Sequence, residues 1–372
     1  MYDRVRKGAP NMGANLQRPR IAPLHTLRLI PVIVREPSAV CYSKTMHILI
    51  TGAAGMIGRK LIERLVKDQL PGDKPLTELT LLDVVTPTQP AGFAGNMKLA
   101  CADLATAGIA EQAIASRPDV IFHLAGVVSA EAEMDFDKGY RANLDGTRAL
   151  LEAIRHAGDG YRPKVVYTSS MAVFGTPFPE SIPDDFHLTP LTSYGTAKAA
   201  CELLLADYTR RGLCDGVGLR LPSICVRPGK PNAAASGFFS SIIREPLAGA
   251  EALLPVAETV RHIHASPRAA VGMLMHAASL QREALGPRIN LMMPGVSCTV
   301  AEQIAALRRI AGERVVARIR RGPDALVERI VAGWPQKADA CRARELGFTA
   351  ESSFDEIIWT HIEDDLAGKF AG

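Results

Sequence analysis

The sequence predicts an α/β fold, a doubly wound parallel sheet with a smaller C-terminal substrate-binding domain. Three observations carry this. An apolar run, His47-Ile48-Leu49-Ile50, leads straight into a glycine-rich turn and a segment of helical periodicity. Strand-like and helix-like segments then alternate to about Leu221, which implies parallel strands joined by crossover helices. After Pro222 the alternation loosens, as expected where a second, smaller part begins.

The first unit is the most specific. The run 47–50 reads as a buried strand, and Thr51-Gly52-Ala53-Ala54-Gly55-Met56-Ile57-Gly58 follows it. From Arg59 to Leu70 the apolar Ile62, Leu65 and Val66 share one side of a helix. Strand, glycine turn and helix together form the dinucleotide-binding unit of a Rossmann-type sheet. Gly52 permits the tight turn, Gly55 admits a pyrophosphate, and Gly58 lets the helix close on the strand. Gly52, Gly55, Met56 and Ile57 are the expected cofactor contacts, with the helix N-terminus facing the phosphates. The second strand, Leu79 to Asp83, ends in an acid. A carboxylate there holds ribose hydroxyls and repels a 2′-phosphate, so the expected cofactor is NAD rather than NADP. Asp83 lies further on than the usual ~20 residues, and the turn Pro71-Gly72-Asp73-Lys74-Pro75 accounts for the surplus.

Val165 to Thr168 and Val217 to Leu221 read as later strands. Ser236 to Leu247, Pro267 to Leu280 (Ser266 as cap, Pro267 in the first turn) and Thr299 to Ala311 read as helices. The expected organisation is an extension over 1–45, an NAD-binding domain over 46–221 to which a helix near 267–280 returns, and a substrate-binding part over 222–266 and 281–372.

Tyr194 and Lys198 stand four apart in Ser193-Tyr194-Gly195-Thr196-Ala197-Lys198, hence on one face of a helix. A free tyrosine titrates near ~10, and an ammonium beside it favours the phenolate. Such a tyrosine can exchange a proton with an alcohol, and a serine from Ser169-Ser170 can hold that alcohol.

These motifs resemble the extended short-chain dehydrogenase/reductase family over nearly everything from Met46 onward. The resemblance implies further roles. Cys101-Ala102-Asp103-Leu104 is similar to the adenine-contacting segment, with Asp103 on the adenine amino group and Leu104 beside it. Phe122-His123-Leu124-Ala125-Gly126 resembles the strand end lining the cofactor, although the family more often has alanine where Gly126 stands. Asn143 matches the family's helix asparagine, and Pro222 would approach the nicotinamide. By its place relative to Gly175, Ser170 is the catalytic hydroxyl, with Tyr194 as base and Lys198 assisting. Within the family the likeness is to the sugar-acid dehydrogenases. It rests on His123 to Glu131, on Leu219 to Ile224 through Arg227-Pro228-Gly229, and on His264 to Ala270. It implies NAD-linked oxidation of the hydroxyl next to a carboxylate. Two alternatives share the fold, a nucleotide-sugar 4-epimerase retaining NAD and a non-catalytic NAD-sensing protein. A dehydratase fits less well, since Met171 and Ala172 follow Ser170 where those enzymes carry an acidic pair.

A carboxylate substrate needs a cation, preferably a forked arginine. Arg227, Lys230, Arg244, Arg261 and Arg268 are available, and Arg261 is the first choice because its stretch resembles the family's substrate loop. Ser129 is the expected hydrogen-bond partner for a substrate hydroxyl or carboxylate. His262 and His264 lack a third ligand, so no metal is expected.

Composition sets the remaining bounds. The 372 residues are 47% hydrophobic and 22% charged, an ordinary globular mixture. The longest apolar stretches are too short to span a membrane. Seven scattered cysteines without a C-x-x-C pair argue against zinc and disulfides, and reduced thiols imply a cytoplasmic setting. The net charge of +4 is misleading, because residues 1–45 carry eight Lys/Arg against two Asp/Glu, a net of +6 that leaves −2 for the rest. No nucleic-acid partner follows. Three readings of the extension remain: translated upstream sequence with Met46 the true start, which is preferred, a disordered arm, or an Arg-rich targeting segment. The segments Asp137 to His156 and Tyr194 to Arg211 offer a face for a homodimer.

Overall fold

The computed structural model describes residues 45–371 apart from 71, 73 and 230–235. The readings made for 1–44 and for Lys230 lie outside the described residues.

Six strands come first: β1 (Met46–Thr51), β2 (Leu76–Asp83), β3 (Asn96–Cys101), β4 (Val120–His123), β5 (Lys164–Ser170) and β6 (Asp215–Leu221). Then follow β7 (Ser223–Ile224), β8 (Ala252–Leu254), β9 (Arg261–Ala265), β10 (Asn290–Met292), β11 (Val296–Thr299) and β12 (Ile319–Arg321). The main sheet has seven parallel strands in the order β10-β6-β5-β4-β1-β2-β3. The first six thus run 3-2-1-4-5-6, the doubly wound order whose direction reverses between β1 and β4. Ile48, Leu49, Ile50, Ile121, Phe122 and Val166 are fully buried, as central parallel strands covered on both faces require.

The helices are α1 (Met56–Asp68), α2 (Ile109–Ile114), α3 (Ser129–Met134), α4 (Phe136–Tyr140), a π-turn at Arg141–Asp145, α5 (Gly146–His156), α6 (Ser193–Arg210), α7 (Gly237–Leu247) and α8 (Pro267–Ser279), with shorter ones beyond. Leu61, Ile62 and Leu65 form the buried side of α1. α8 packs on α1 and reaches β5 and β6, and α2 packs with α5. The Ser266 hydroxyl caps α8 by accepting from Ala269 N at 2.9 Å, with Pro267 in the first turn.

The C-terminal residues build a second apolar core. It brings Phe239, Ile242 and Leu247 of α7 against Ile304 and Leu307 of the Val300–Ala311 helix and Ile357 and Ile358 of the Phe354–Asp365 helix. Beside it lies a small sheet in the order β11-β9-β7. One boundary differs from the sequence reading. Asn290–Met292 was placed in the substrate part, yet it joins the main sheet as β10, parallel to Gly218–Arg220. The three residues have no periodicity of their own, and a free edge of β6 decides where they go.

Candidate active site

At the reversal between β1 and β4 the carboxyl ends of the strands leave a crevice, where open α/β sheets bind ligands. The turn after β1 is pressed against the end of β4. Gly52 has φ +74°, and a Cβ on it would lie 2.7 Å from Ala125 N and from the Leu124 carbonyl carbon. Only glycine meets both demands. Gly55 precedes α1 with no side-chain cap, and the first turn has no acid. The leading N–H groups around Met56 and Ile57 therefore remain available to a pyrophosphate. Asp83 closes β2 with its oxygens fixed by Ala54 N (2.9 Å) and Val85 N (3.1 Å). That places an acceptor-only carboxylate at the crevice rim, where a ribose diol fits and a 2′-phosphate does not. The donor set fits NAD.

Other predicted contacts differ in detail. Asp103 already accepts from Ala105 N (2.9 Å) and Arg141 Nε (2.7 Å), so an adenine amino group must share it. Arg141 was invisible in the sequence, since nothing local marks a pair 38 residues apart. Leu104 is buried beneath. Asn143, expected to hold cofactor, also bonds main chain. Oδ1 accepts from Val127 N at 3.1 Å and Nδ2 donates to Val127 O at 3.3 Å. It thereby braces the loop after β4, with one N–H and one lone pair left over. This also accounts for Gly126, where a Cβ would stand 2.5 Å from Asn143 Oδ1.

His123 is a structural centre that the motif comparison left without a role. Thr147 donates its hydroxyl hydrogen to Asn143 O at 2.9 Å. His123 Nε2, 2.9 Å away, must therefore donate to Thr147, and Nδ1 accepts from the Thr51 hydroxyl at 2.7 Å. Burial, helped by the Lys198 charge, lowers His123 to about 3. Burial lowers His262 to about 4 and His264 well below its ordinary range. Unfolded, each would take a proton near ~6.5. The unfolded chain thus binds more protons below that value, and stability falls as pH drops. The urea midpoint should hold between about pH 8 and 7 and decline from about pH 6.5 toward 4. An unchanged midpoint at pH 5 would contradict neutral burial of these rings.

The reactive group sits at the tip of β5. Successive strand residues face opposite ways. Ser169 points inward and donates to Glu202 Oε1 at 2.6 Å, and Glu202 holds Arg220 through bonds of 2.7–3.1 Å. Ser170 points the other way and accepts from Ala172 N at 3.1 Å, and its hydroxyl stands near enough to the Tyr194 phenol to oppose the rise in that phenol's pKa. Tyr194 is held in the first turn of α6, which Thr192 caps by accepting from Gly195 N at 3.0 Å. One turn on, Lys198 is buried, with Nζ donating to Thr168 O at 2.8 Å and lying 5.7 Å from the Tyr194 ring centre. Ser170, Tyr194 and Lys198 are thus brought together.

The electrostatics correct one expectation. Lys198 was expected to draw down the Tyr194 phenol. Burial instead raises the phenol, and what opposes the rise is the Ser170 hydroxyl and the Arg227 guanidinium. The Lys198 ammonium is engaged by the Thr168 carbonyl, and burial lowers it to about 8.

The cations expected to meet the substrate differ in how they are engaged. Arg261, the first choice, is neutralised by Glu302 at 3.1 Å and donates to Ser297 O at 3.0 Å. It lines a cleft of about 480 Å³ with Phe178, Glu180 and Lys337. Arg268 is paired with Glu363 and Asp364, and Arg244 with Glu245. Of the four weighed cations among the described residues, Arg227 is the one whose charge bears on the Tyr194 phenol. Ser129 opens α3, which Glu133 ties to α6 by accepting from Ser193 N. Pro222 is buried between β6 and β7. His262 bonds Ser223 and Pro335 O, and His264 bonds Gln303. Among the described residues no three His, Cys, Asp or Glu gather in a metal-binding group.

The family model described as the NAD dependent epimerase/dehydratase family matches residues 48–266. The chain is 48% identical to D-erythronate dehydrogenase of Cupriavidus necator over 323 residues, 86% of this chain and 98% of that protein. It is 39% identical to D-erythronate dehydrogenase of Haemophilus influenzae over 86% of this chain and all of that one. A crystal structure described as the nucleoside-diphosphate-sugar epimerase from Agrobacterium tumefaciens superposes with a TM-score of 0.86 at 64% identity, covering 87% of this chain and 96% of that one. The crevice, the uncapped helix and the Ser170–Tyr194–Lys198 group agree with that kinship: this chain belongs to the NAD-dependent epimerase/dehydratase family, the extended short-chain dehydrogenases/reductases its motifs resemble.

Proposed function

We propose that the protein oxidises the hydroxyl next to the carboxylate of a sugar acid, converting D-erythronate to 2-dehydro-D-erythronate. The observation that carries this is the grouping of Ser170 at the tip of β5, Tyr194 in the first turn of α6 and Lys198 one turn on, bonded to Thr168 O and 5.7 Å from the Tyr194 ring centre. Bound NAD supplies the hydride acceptor. The substrate oxygen sits between the Ser170 and Tyr194 hydroxyls. Ser170 orients it and stabilises its developing charge, and Tyr194 takes its proton. Lys198, anchored on Thr168 O, supports the nicotinamide ribose. Gly52, Gly55, Met56 and Ile57 face the pyrophosphate and Asp83 the adenosine ribose, while Asp103, Leu104, Leu124, Ala125, Gly126 and Pro222 line the remaining cofactor path. Ser129, on the helix tied to α6, is placed for a substrate polar group.

The names of the two relatives support the substrate, as both are D-erythronate dehydrogenases over nearly their whole length. The similar Agrobacterium structure favours a second reading, a nucleotide-sugar epimerase with retained NAD. A panel of four- to six-carbon sugar acids with NAD or NADP, followed by NADH absorbance, decides. D-erythronate with NAD should turn over fastest. Silence on every acid, with copurifying NAD and UDP-sugar interconversion, would move the reading to the epimerase. No helix among the described residues is long and apolar enough to cross a membrane, and a cytoplasmic setting fits the free cysteines among those residues. A homodimer through α6 and its neighbours fits the exposure of Leu203, Met134 and Phe136.

A further inference from the structure

Arg227 follows β7 and is half-buried, yet no carboxylate among the described residues pairs with it. Its position is nevertheless tightly set. Its N–H donates to Ser240 Oγ at 3.0 Å, its Nε to Ile224 O at 3.0 Å and its Nη2 to Ser236 Oγ at 3.0 Å. Two of its five side-chain donors are thus spent on fixing the fork, and three remain. The Arg244 guanidinium, which donates to Arg227 O, adds like charge nearby. A desolvated guanidinium without a counter-charge is costly, so this arrangement is built for an anion that arrives.

Two further facts locate that anion. Ser170 pairs with Leu221 at the end of β6, and β7 opens two residues on at Ser223, so the segment that carries Arg227 leaves the sheet beside the catalytic serine. Its Nε is bonded to Ile224 O, the residue after Ser223. Ser223 is itself oriented. His262 Nδ1 is 2.8 Å from Pro335 O, which only accepts, so the ring hydrogen is on Nδ1. His262 Nε2 must then accept from the Ser223 hydroxyl at 2.7 Å. Phe239 stacks on the same ring at 5.4 Å and holds it. Ser223 therefore presents lone pairs and no hydrogen, an acceptor for a ligand O–H.

We propose that Arg227 receives the substrate carboxylate as a forked pair, and that Ser223 accepts a hydrogen bond from a hydroxyl further along the same chain. This rests on the sugar-acid reading above. A carboxylate one bond from the reacting carbon needs a receptor beside the base. Arg227 meets that demand, and the paired Arg261 does not. The pair selects short polyhydroxy acids over uncharged polyols and over hydroxy acids without further hydroxyls.

The test compares kcat/KM for D-erythronate, for the uncharged polyol erythritol and for 2-hydroxybutanoate. Arg227→Gln should cut the preference for erythronate over erythritol by about 10- to 100-fold, with NAD affinity unchanged and thermal midpoint unchanged or raised. Ser223→Ala should weaken D-erythronate turnover about tenfold and leave 2-hydroxybutanoate unaffected. If R227Q fails to fold, R227K, which keeps the charge without the fork, is read by the same ratio. An active wild-type enzyme whose R227Q variant keeps the full acid preference overturns the proposal and leaves the dehydrogenase reading standing. A wild-type enzyme that oxidises no sugar acid overturns that reading, and the carboxylate ligand with it.

Discussion

Tyr194→Phe is expected to lower kcat about 10²–10⁴-fold while NAD still binds. The change deletes one oxygen and leaves the half-buried ring in place, 5.7 Å from the Lys198 ammonium. The cofactor crevice is built by β1, β2, β4 and the start of α1, none of which Tyr194 supports. Cofactor titration should therefore match wild type, and only turnover should be lost. The pH profile gives a second reading. Burial raises the phenol above its ordinary value, so wild-type oxidation should accelerate from pH 7 toward 10 as the phenolate grows in. The residual rate of the variant should lack that limb. Wild-type activity in the variant, or an unchanged alkaline limb, would remove Tyr194 from the role of base.

The second large effect concerns stability. Glu202 and Arg220 form a buried, doubly hydrogen-bonded ion pair, with 1% and 10% of their side chains exposed. Ser169 completes the acid's shell, and the guanidinium lies 5.1 Å from the Phe174 ring centre. Arg220→Leu leaves a carboxylate desolvated with one hydroxyl donor, at a cost of about 3–5 kcal/mol. Glu202→Leu strands the guanidinium at a similar cost. The double variant should recover much of the loss, because two apolar side chains need no partners. Denaturant unfolding of the three variants checks this. Additive losses in the double variant would show that the pair contributes through packing rather than charge.

The cofactor half was legible because its signals are local. A glycine turn between an apolar strand and an amphipathic helix needs no knowledge of the rest of the chain, and a Tyr-to-Lys spacing needs only the helix. Ser170 was separable from Ser169 by its place relative to Gly175 in the family pattern, and the structure turns Ser169 inward onto Glu202. What escaped is long-range. Glu202 finds Arg220 across two elements, Asp103 finds Arg141 38 residues away, and a three-residue strand is recruited by an open sheet edge. Choosing among the arginines was hard because sequence shows which cations exist but not which are already paired. Glu302 pairs with Arg261, and no carboxylate among the described residues pairs with Arg227. The phenol's pKa was misjudged because proximity was weighed and burial was not.

The recruited strand β10 has a mechanical consequence. Leaving β6, the chain runs through the C-terminal core and comes back to be hydrogen-bonded beside β6, with Met293 N donating to Arg220 O at 3.1 Å. The C-terminal core is therefore moored to the cofactor sheet by several crossings, since α8 also returns to it, rather than hung from one linker. A wide hinge opening would have to tear a parallel ladder next to the Glu202–Arg220 pair. Ser170 and the segment that carries Arg227 leave neighbouring strands, β5 and β6, of that one sheet, so the two sides of the site share a single support.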